Sequence, residues 1–192
     1  YSLKKWNGSQ WSVAGSLLYG SIYALCAIGD VIYVGGDMGA AGDLEVNSVA
    51  KWDGTSWSAL SSGLNNTVLA MAASGTDLYA GGTFTMAGGV RANRIAKWDG
   101  NTWSALGTGI TSGSSTHVAA LAANGGNLYA GGDFNFAGGV IARMVARWDG
   151  STWSALGTGM DYPVRALALK GGDLYAGGEF STAGGVNAIR VA

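Results

Sequence analysis

The chain has 192 residues, a length that suits one large domain or a short repeat array. Glycine supplies 34 positions and hydrophobic residues 48%, whereas only 12% are charged, which excludes a disordered polar chain. Eleven basic and 12 acidic residues give a net charge of −1, so we predict no nucleic-acid surface. No apolar run approaches the roughly 18 residues of a membrane-spanning helix, so no membrane insertion is predicted. The single cysteine, Cys26, excludes an internal disulfide and a multi-cysteine metal site.

The sequence repeats itself along its length, which predicts a repeat architecture. Four similar segments begin with a Lys-Trp or Arg-Trp pair at Lys5, Lys51, Lys97 and Arg147. Each is followed by a segment resembling DLYAGG and then by a stretch rich in alanine and glycine. We therefore predict a single domain over residues 1–192, built from four units: 5–50, 51–96, 97–146 and 147–192. Residues 1–4 are predicted to belong to a preceding strand.

Each unit carries the pattern of short strands rather than helices. In chain order, residues 144–148 and 152–156 flank Asp149 and Gly150, a dipeptide typical of hairpin turns. Residues 164–169 then alternate in polarity and end at a Gly-Gly-Asp turn, after which residues 174–180 form the next predicted strand. No long window has helical periodicity, and frequent glycine would make a helix unfavourable. The sequence therefore predicts one four-stranded antiparallel sheet per unit.

A sheet of this composition has two apolar faces and needs a neighbour on each. Every large side chain buried between sheets contributes roughly 1.5–3 kcal/mol. Radial stacking around an axis covers both faces, so we predict an all-β fold, a β-propeller of four-stranded antiparallel blades. The four units fit either a closed four-bladed ring or an arc of a larger propeller. If the ring closes, residues 10–14 would supply the last strand of the last blade.

Several residues resemble the kelch-type propeller repeat. Residues 79–82, Tyr-Ala-Gly-Gly, resemble its second strand, and Trp98, Asp99 and Trp103 resemble its later hairpin. The sequence of the repeat unit is similar to tandem repeats of bacterial surface and secreted proteins, and to the repeat region of fungal cortical polarity-marker proteins. The resemblance implies a kelch-like propeller with an extracellular or cell-surface location. Kelch-like propellers usually have more blades than four, and they include actin binders, ligase adaptors, lectin-like modules and an oxidase.

Residues that recur in every unit are expected to be structural, because catalysis seldom needs four copies. Asp53, Asp99 and Asp149 are predicted to hydrogen-bond their own turn backbone. The cations before the first tryptophan of each pair are predicted to lay their stems over neighbouring aromatic rings. Cys26 is predicted to be a small packed residue near the axis.

No catalytic constellation emerges from the sequence. His117 is the only histidine, no Gly-x-Ser-x-Gly motif occurs, and no calcium-loop pattern is present. The copper site of the kelch-like oxidase needs two histidines, which this chain lacks. We therefore predict a non-enzymatic protein with no metal and no cofactor. His117 itself lies at the end of the insertion at residues 111–117 of the third unit and is predicted to begin the strand that follows.

Candidate binding residues come from positions where one unit departs from the repeat. They are expected on the longer loops, because a rigid scaffold commonly carries binding residues there. Aromatic rings beside polar groups can stack a sugar or anchor a protein, although loop drift after duplication gives the same pattern. The candidate ligand-binding residues are Tyr19, Glu45, His117, Phe134, Phe136, Asp161, Tyr162 and Glu179.

The expected function is that of a non-catalytic scaffold or binding module of an extracellular or cell-surface bacterial protein. Its expected partners are proteins or glycans, together with other domains or chains of a longer protein or assembly. The alternative is a carbohydrate-active enzyme or lectin-like accessory domain that uses acidic and aromatic loop residues, with Asp161 and Glu179 as the acids.

Overall fold

Twenty-three β-strands and no helix form the regular structure of the chain. The computed structural model describes all 192 residues. The strands of the first half are β1 (Ser2–Trp6), β2 (Trp11–Ile28), β3 (Val31–Ala41), β4 (Leu44–Glu45), β5 (Val49–Trp52), β6 (Trp57–Ala59), β7 (Val68–Ser74), β8 (Asp77–Gly82), β9 (Met86–Ala87), β10 (Val90–Arg91), β11 (Ile95–Trp98) and β12 (Trp103–Ala105). The strands of the second half are β13 (Ile110–Thr111), β14 (His117–Asn124), β15 (Asn127–Asp133), β16 (Phe136–Ala137), β17 (Val140–Ile141), β18 (Val145–Trp148), β19 (Trp153–Ala155), β20 (Val164–Lys170), β21 (Asp173–Gly178), β22 (Thr182–Ala183) and β23 (Val186–Asn187). The chain contains no helix long and apolar enough to span a membrane.

Three complete four-stranded antiparallel sheets follow one another along the chain. Sheet 1 contains β2, β3, β5 and β6, which belong to a six-stranded sheet that β1 and β4 complete. Sheet 2 contains β7, β8, β11 and β12, and sheet 3 contains β14, β15, β18 and β19. In each sheet the strands lie in sequence order. Short strands in the connections form small sheets of two or three strands or, for β4, extend sheet 1. The predicted all-β fold and the predicted four-stranded antiparallel sheets are confirmed for these three.

The two ends of the chain are incomplete sheets. Sheet 4 contains only β20 and β21, with a bridge from Gly177 to Val191 in the place of a third strand. At the other end β1 pairs with the first part of β2, which forms what we call the N-terminal hairpin, residues 2–14. Sheet 4 and this hairpin share no strand pairing. The structure is therefore not a closed ring.

The closed ring, in which residues 10–14 would supply the last strand of the last sheet, is not formed. Val13 pairs with Lys4 and Ser12 with Lys5, so residues 10–14 form a hairpin with β1, and this hairpin makes no pairing with β20 or β21. The physical reason is the continuity of β2, which is one strand of 18 residues. Its first part belongs to the N-terminal hairpin and its second part pairs with β3 in sheet 1, which ties the hairpin to sheet 1.

The sheets stack face to face in chain order, and the core lies between them. The first strands of successive sheets, β2, β7, β14 and β20, contact one another in turn. One apolar cluster joins sheets 1 and 2, a second joins sheets 2 and 3, and a third joins sheets 3 and 4. Each complete sheet thus covers its neighbour, as its two apolar faces require.

Glycine on the second strand of each sheet allows this close approach. A Cβ atom built on Gly81 would lie 2.5 Å from Cγ1 of Val118 on the next sheet. A Cβ on Gly131 would lie 2.6 Å from Cγ1 of Val164 in the same way. Both distances are too short for a real contact, so only glycine fits beneath these valines at the present sheet spacing.

Tryptophan pairs fasten neighbouring sheets together. Trp98 and Trp103 have ring centroids 5.4 Å apart, and they are 4% and 5% exposed. The Trp103 Nε1–H donates to the carbonyl oxygen of Leu60 on the preceding sheet at 3.0 Å. Trp153 makes the same bond to Leu106, at 2.9 Å. The rings therefore lie between sheets rather than in solvent.

Replacement of Gly81 by alanine tests the sheet spacing. We expect Gly81→Ala to lower the free energy of unfolding by about 1–3 kcal/mol, because the new methyl group overpacks against Val118. Chemical denaturation measures this change. Gly172→Ala is the matched control, since a Cβ there meets no atom within 4 Å. Equal effects of the two substitutions would contradict this account.

Candidate binding site

The two ends of each sheet differ in their connections. Tight turns join the first strand to the second and the third to the fourth, and together they form the turn end. Longer segments make the other connections, and they bridge one another there, as Leu64 does with Ala87 and Met160 with Ala183. We call this the loop end. It is where the sequence predicts binding residues.

The recurring aspartates lie in turns, as predicted. Asp149 Oδ1 accepts hydrogen bonds from the backbone N–H groups of Ser151 and Thr152, at 2.9 and 2.8 Å. Asp53 and Asp99 make the equivalent bonds. These backbone donors hold the pKa of all three carboxyl groups below their usual range. The aspartates therefore stabilise the turns.

Two of the four cations before the tryptophans bond to polar side chains, a contact that the repeat pattern does not predict. Lys97 Nζ lies 2.6 Å from Asp77 Oδ2, and this hydrogen bond raises the pKa of Lys97. Arg147 Nε donates to Asn127 Oδ1 at 2.9 Å. In both sheets the cation of the third strand reaches the first residue of the second strand. The charged groups thus link adjacent strands at the turn end.

A polar cluster at the loop end joins sheets 3 and 4. Arg165 on β20 donates from Nε and Nη2 to Glu179 Oε1, at 2.9 and 2.7 Å. Arg165 Nη1 lies 3.0 Å from Nε2 of His117, at the start of β14. The other ring nitrogen of His117 lies 3.0 Å from the carbonyl oxygen of Ser115. Because a carbonyl oxygen only accepts, Nδ1 carries the proton and Nε2 accepts from Arg165.

An exposed tyrosine lies close to this cluster along the chain. Tyr162 is 58% exposed, and the next residue, Pro163, accepts a hydrogen bond from the Glu179 N–H at 2.9 Å. We call His117, Tyr162, Arg165 and Glu179 the loop-end cluster. Three predicted candidates are thus brought near one another, and Arg165 joins them. The cluster presents hydrogen-bond donors, a carboxylate and an apolar ring to solvent.

Arg165 is the member that the sequence analysis missed. Its position is occupied by Tyr23, Leu69 and Ala119 in the other units. A charged residue at a position that is uncharged elsewhere in the repeat is the signal that identifies it.

Asp161 is committed to the loop backbone. Its Oδ1 accepts from the N–H groups of Ser181 and Thr182, both at 2.9 Å, and Oδ2 accepts from the Ser181 hydroxyl. These bonds lower the pKa of Asp161 to about 2. Two units earlier in the chain, Asn65 makes the same contacts with the backbone N–H groups of Thr85 and Met86. Asp161 is therefore a cross-link between the two loops.

The prediction that Phe134 binds ligand is wrong. Its side chain is 0% exposed and lies in the core cluster between sheets 2 and 3. Phe84 and Phe180 occupy the same repeat position and are also buried. Phe134 therefore follows the repeat rather than departing from it, and an alignment of the units identifies it as a core residue.

The remaining candidates, Tyr19 on β2, Glu45 on β4 and Phe136 on β16, make no hydrogen bond to the loop-end cluster. Tyr19 and Glu45 both pair with Ala40, one from each neighbouring strand, and both are exposed. Phe136 on β16 is 40% exposed and pairs with Ile141. No cluster of histidine, cysteine or acidic residues with metal-binding geometry occurs. Cys26 is partly buried against the cluster between sheets 1 and 2.

Comparison with known proteins shows similarity of fold alone. No family model matches the chain, and no curated protein matches it. Among solved structures, the computationally designed protein Ika8 superposes with a TM-score of 0.57 and 18% identity, over 86% of this chain and 46% of Ika8. The computationally designed protein Ika4 has a TM-score of 0.55 and 17% identity, over 82% of this chain and 85% of Ika4. The chain thus spans less than half of Ika8 and most of Ika4.

The loop cross-link predicts a pH-dependent contribution of Asp161. Its folded pKa lies below its unfolded value, so ionised Asp161 stabilises the fold above about pH 4, and this contribution is lost as pH falls toward 2. Asp161→Asn keeps a side-chain oxygen that can accept the two backbone hydrogen bonds, as Asn65 does in its own loop, but the amide does not ionise. We expect the stability difference between wild type and variant to shrink from pH 5 to pH 2 in denaturation experiments. A difference that is constant over this range would contradict the assignment.

Proposed function

We propose that this chain is a non-catalytic, kelch-like β-propeller module of an extracellular or cell-surface bacterial protein, and that its loop end binds a glycan. The stacked antiparallel sheets support the architectural part of this proposal. The resemblance of the repeat sequence to kelch-type and bacterial surface repeats supports the kelch-like type and the extracellular or cell-surface location. The loop-end cluster supports the binding role.

The observation that carries the binding role is the contact of Arg165 with both His117 and Glu179 beside exposed Tyr162. Sugar hydroxyl groups both donate and accept hydrogen bonds, so a guanidinium and a carboxylate side by side complement them. The aromatic ring of Tyr162 offers an apolar face on which a sugar ring can stack. A sheet framework on two sides holds these groups in place, which lowers the entropic cost of binding.

A carbohydrate-active enzyme is supported less well. Hydrolysis of a glycosidic bond commonly needs one carboxylic acid that keeps its proton near neutral pH and a second carboxylate opposite it. Asp161 has the opposite property, because its pKa is lowered to about 2 by the loop N–H and hydroxyl donors. Glu179 already accepts two hydrogen bonds from Arg165. These acids therefore suit binding and loop structure better than proton transfer.

A glycan array followed by calorimetry with the strongest glycan tests this proposal. We expect Arg165→Ala and Tyr162→Ala each to weaken binding at least tenfold, because each removes a contact group from the exposed face. Arg147→Ala is the matched control, since this arginine bonds to Asn127 at the turn end.

Three outcomes would overturn the proposal. They are no glycan binding at all, binding that Arg165→Ala leaves unchanged, or turnover of a glycoside that Glu179→Gln abolishes. The last outcome would establish the enzymatic alternative.

A further inference from the structure

The incomplete sheets at the two ends are complementary in their strands. Sheet 4 has a first and second strand, whereas the N-terminal hairpin has the sequence of a third and fourth strand. In sheet 3, Tyr129 pairs with Arg147 and Leu128 with Trp148. In the repeat, Tyr175 and Leu174 are equivalent to Tyr129 and Leu128. Lys5 and Trp6 are equivalent to Arg147 and Trp148. The hairpin therefore fits beside β21 in a register already present in sheet 3.

The apolar face of sheet 4 lacks the contacts that the other sheets make. A Cβ on Gly131 would lie 2.6 Å from Val164 and 3.3 Å from Leu167 of the next sheet, whereas a Cβ on the equivalent Gly177 meets no atom of a following sheet. The residues that occupy the positions of Val164 and Leu167 in sheet 1 are Ile22 and Leu25. Leu25 is 59% exposed. Gly177 and Leu25 thus occupy the two positions of the glycine–leucine contact that joins successive sheets, but neither has its partner.

Trp11 also lacks the contacts that the equivalent tryptophan makes in a complete sheet. The equivalent Trp153 packs against Gly138 and donates its Nε1–H to the carbonyl oxygen of Leu106. At the end of the chain Gly184 takes the position of Gly138, and a Cβ there meets no atom within 4 Å. Leu156 takes the position of Leu106 and is only partly buried. Trp11 itself is 66% exposed and has no such partner.

Charge is complementary as well. The Lys97–Asp77 ion pair joins the third strand of sheet 2 to its second strand. Lys5 and Asp173 hold these two positions at the chain ends. Both are exposed, and neither forms an ion pair within the chain.

A groove marks the place of the absent second strand. It has a volume of about 810 Å³ and lies between the N-terminal hairpin and the first strand of sheet 1. In the complete sheets the second strand of one sheet contacts the first strand of the next, as β8 does with β14 and β15 with β20. The lining includes Leu3, Lys5, Leu25 and Cys26, so the groove is bounded by the residues that a second strand would cover.

We propose that a second copy of this chain binds head to tail, with the β21 edge of one copy in the groove beside the N-terminal hairpin of the other. Gly177 of the first copy would then cover Leu25 of the second, and Trp11 of the second would reach Leu156 of the first. Such an unlike pairing of surfaces either closes into a ring of copies or continues as a filament. This interface lies apart from the loop-end cluster and does not depend on glycan binding.

One local rearrangement accompanies the contact. Residues 189–192 bridge to β21 at the positions that residues 1–4 of the second copy would take, since Val191 and Leu3 are equivalent in the repeat. One of these four-residue segments must leave. A chain lacking residues 189–192 should therefore associate more tightly than the full chain, because the β21 edge is then free while the N-terminal hairpin stays intact.

Disulfide trapping tests the pairing and its direction. In a Cys26→Ser background, Lys5→Cys and Tyr175→Cys are introduced into separate chains, which are mixed under mild oxidation. We expect the mixed disulfide to form at least tenfold faster than either homodimer, as intact mass measures. Lys5→Cys mixed with Tyr129→Cys is the control, because Arg147 already occupies the position opposite Tyr129.

Two results of the trapping would overturn the proposal. One is a mixed disulfide that forms no faster than this control. The other is a rapid internal disulfide in a monomeric Lys5→Cys/Tyr175→Cys chain at high dilution, which would show closure within one chain.

Sedimentation over a range of concentrations measures the association directly. We expect Leu25→Asp and Gly177→Ala each to raise the dissociation constant at least tenfold without changing the circular dichroism of the dilute chain. Gly172→Ala is the matched control. A chain that stays monomeric at its highest soluble concentration, or an association that both substitutions leave unchanged, would overturn the proposal.

Discussion

The structure depends on the fit between a glycine surface of one sheet and a branched side chain of the next. Gly81 under Val118 and Gly131 under Val164 set how closely the sheets approach. Tryptophan side chains can then reach carbonyl groups of the preceding sheet, as Trp153 does with Leu106. Each sheet contacts only its immediate neighbours, so stability is a sum of local interfaces, and a sheet with one neighbour is held less firmly than one with two.

Much of the fold could be predicted because the same local signals recur in every unit. The Asp149-Gly150 turn, the alternating strand and the DLYAGG segment each have a direct physical meaning, and repetition makes chance agreement improbable. The closed ring could not be decided in this way. It depends on how far each sheet is rotated from the last and on the path of β2, neither of which any local pattern encodes.

The site was harder to predict because it depends on contacts between distant residues. His117 follows an insertion and Glu179 is a loop acid, so the sequence indicates both, whereas Arg165, which joins them, lies on a strand where no loop signal points to it. Phe134 lies beside a segment that varies, but its own position is apolar and buried in every unit, as Met38, Phe84 and Phe180 show. Asp161 departs from the repeat in charge yet keeps the backbone contacts that Asn65 makes. A departure in residue type therefore identifies a difference in chemistry only where the bonding partners differ too.

The unbroken strand β2 has a mechanical consequence. The N-terminal hairpin is attached to sheet 1 through a continuous backbone, and at its base Gly15 of β2 lies against Trp57. The register of β2 is interrupted between Tyr19 and Gly20, and Gly20 has a φ of 121°, a conformation that L side chains rarely adopt. Gly20 thus lies at an irregularity of β2 within sheet 1, so a change in its backbone torsion would alter the angle between the N-terminal hairpin and the rest of that sheet, and with it the tilt of anything attached to the hairpin.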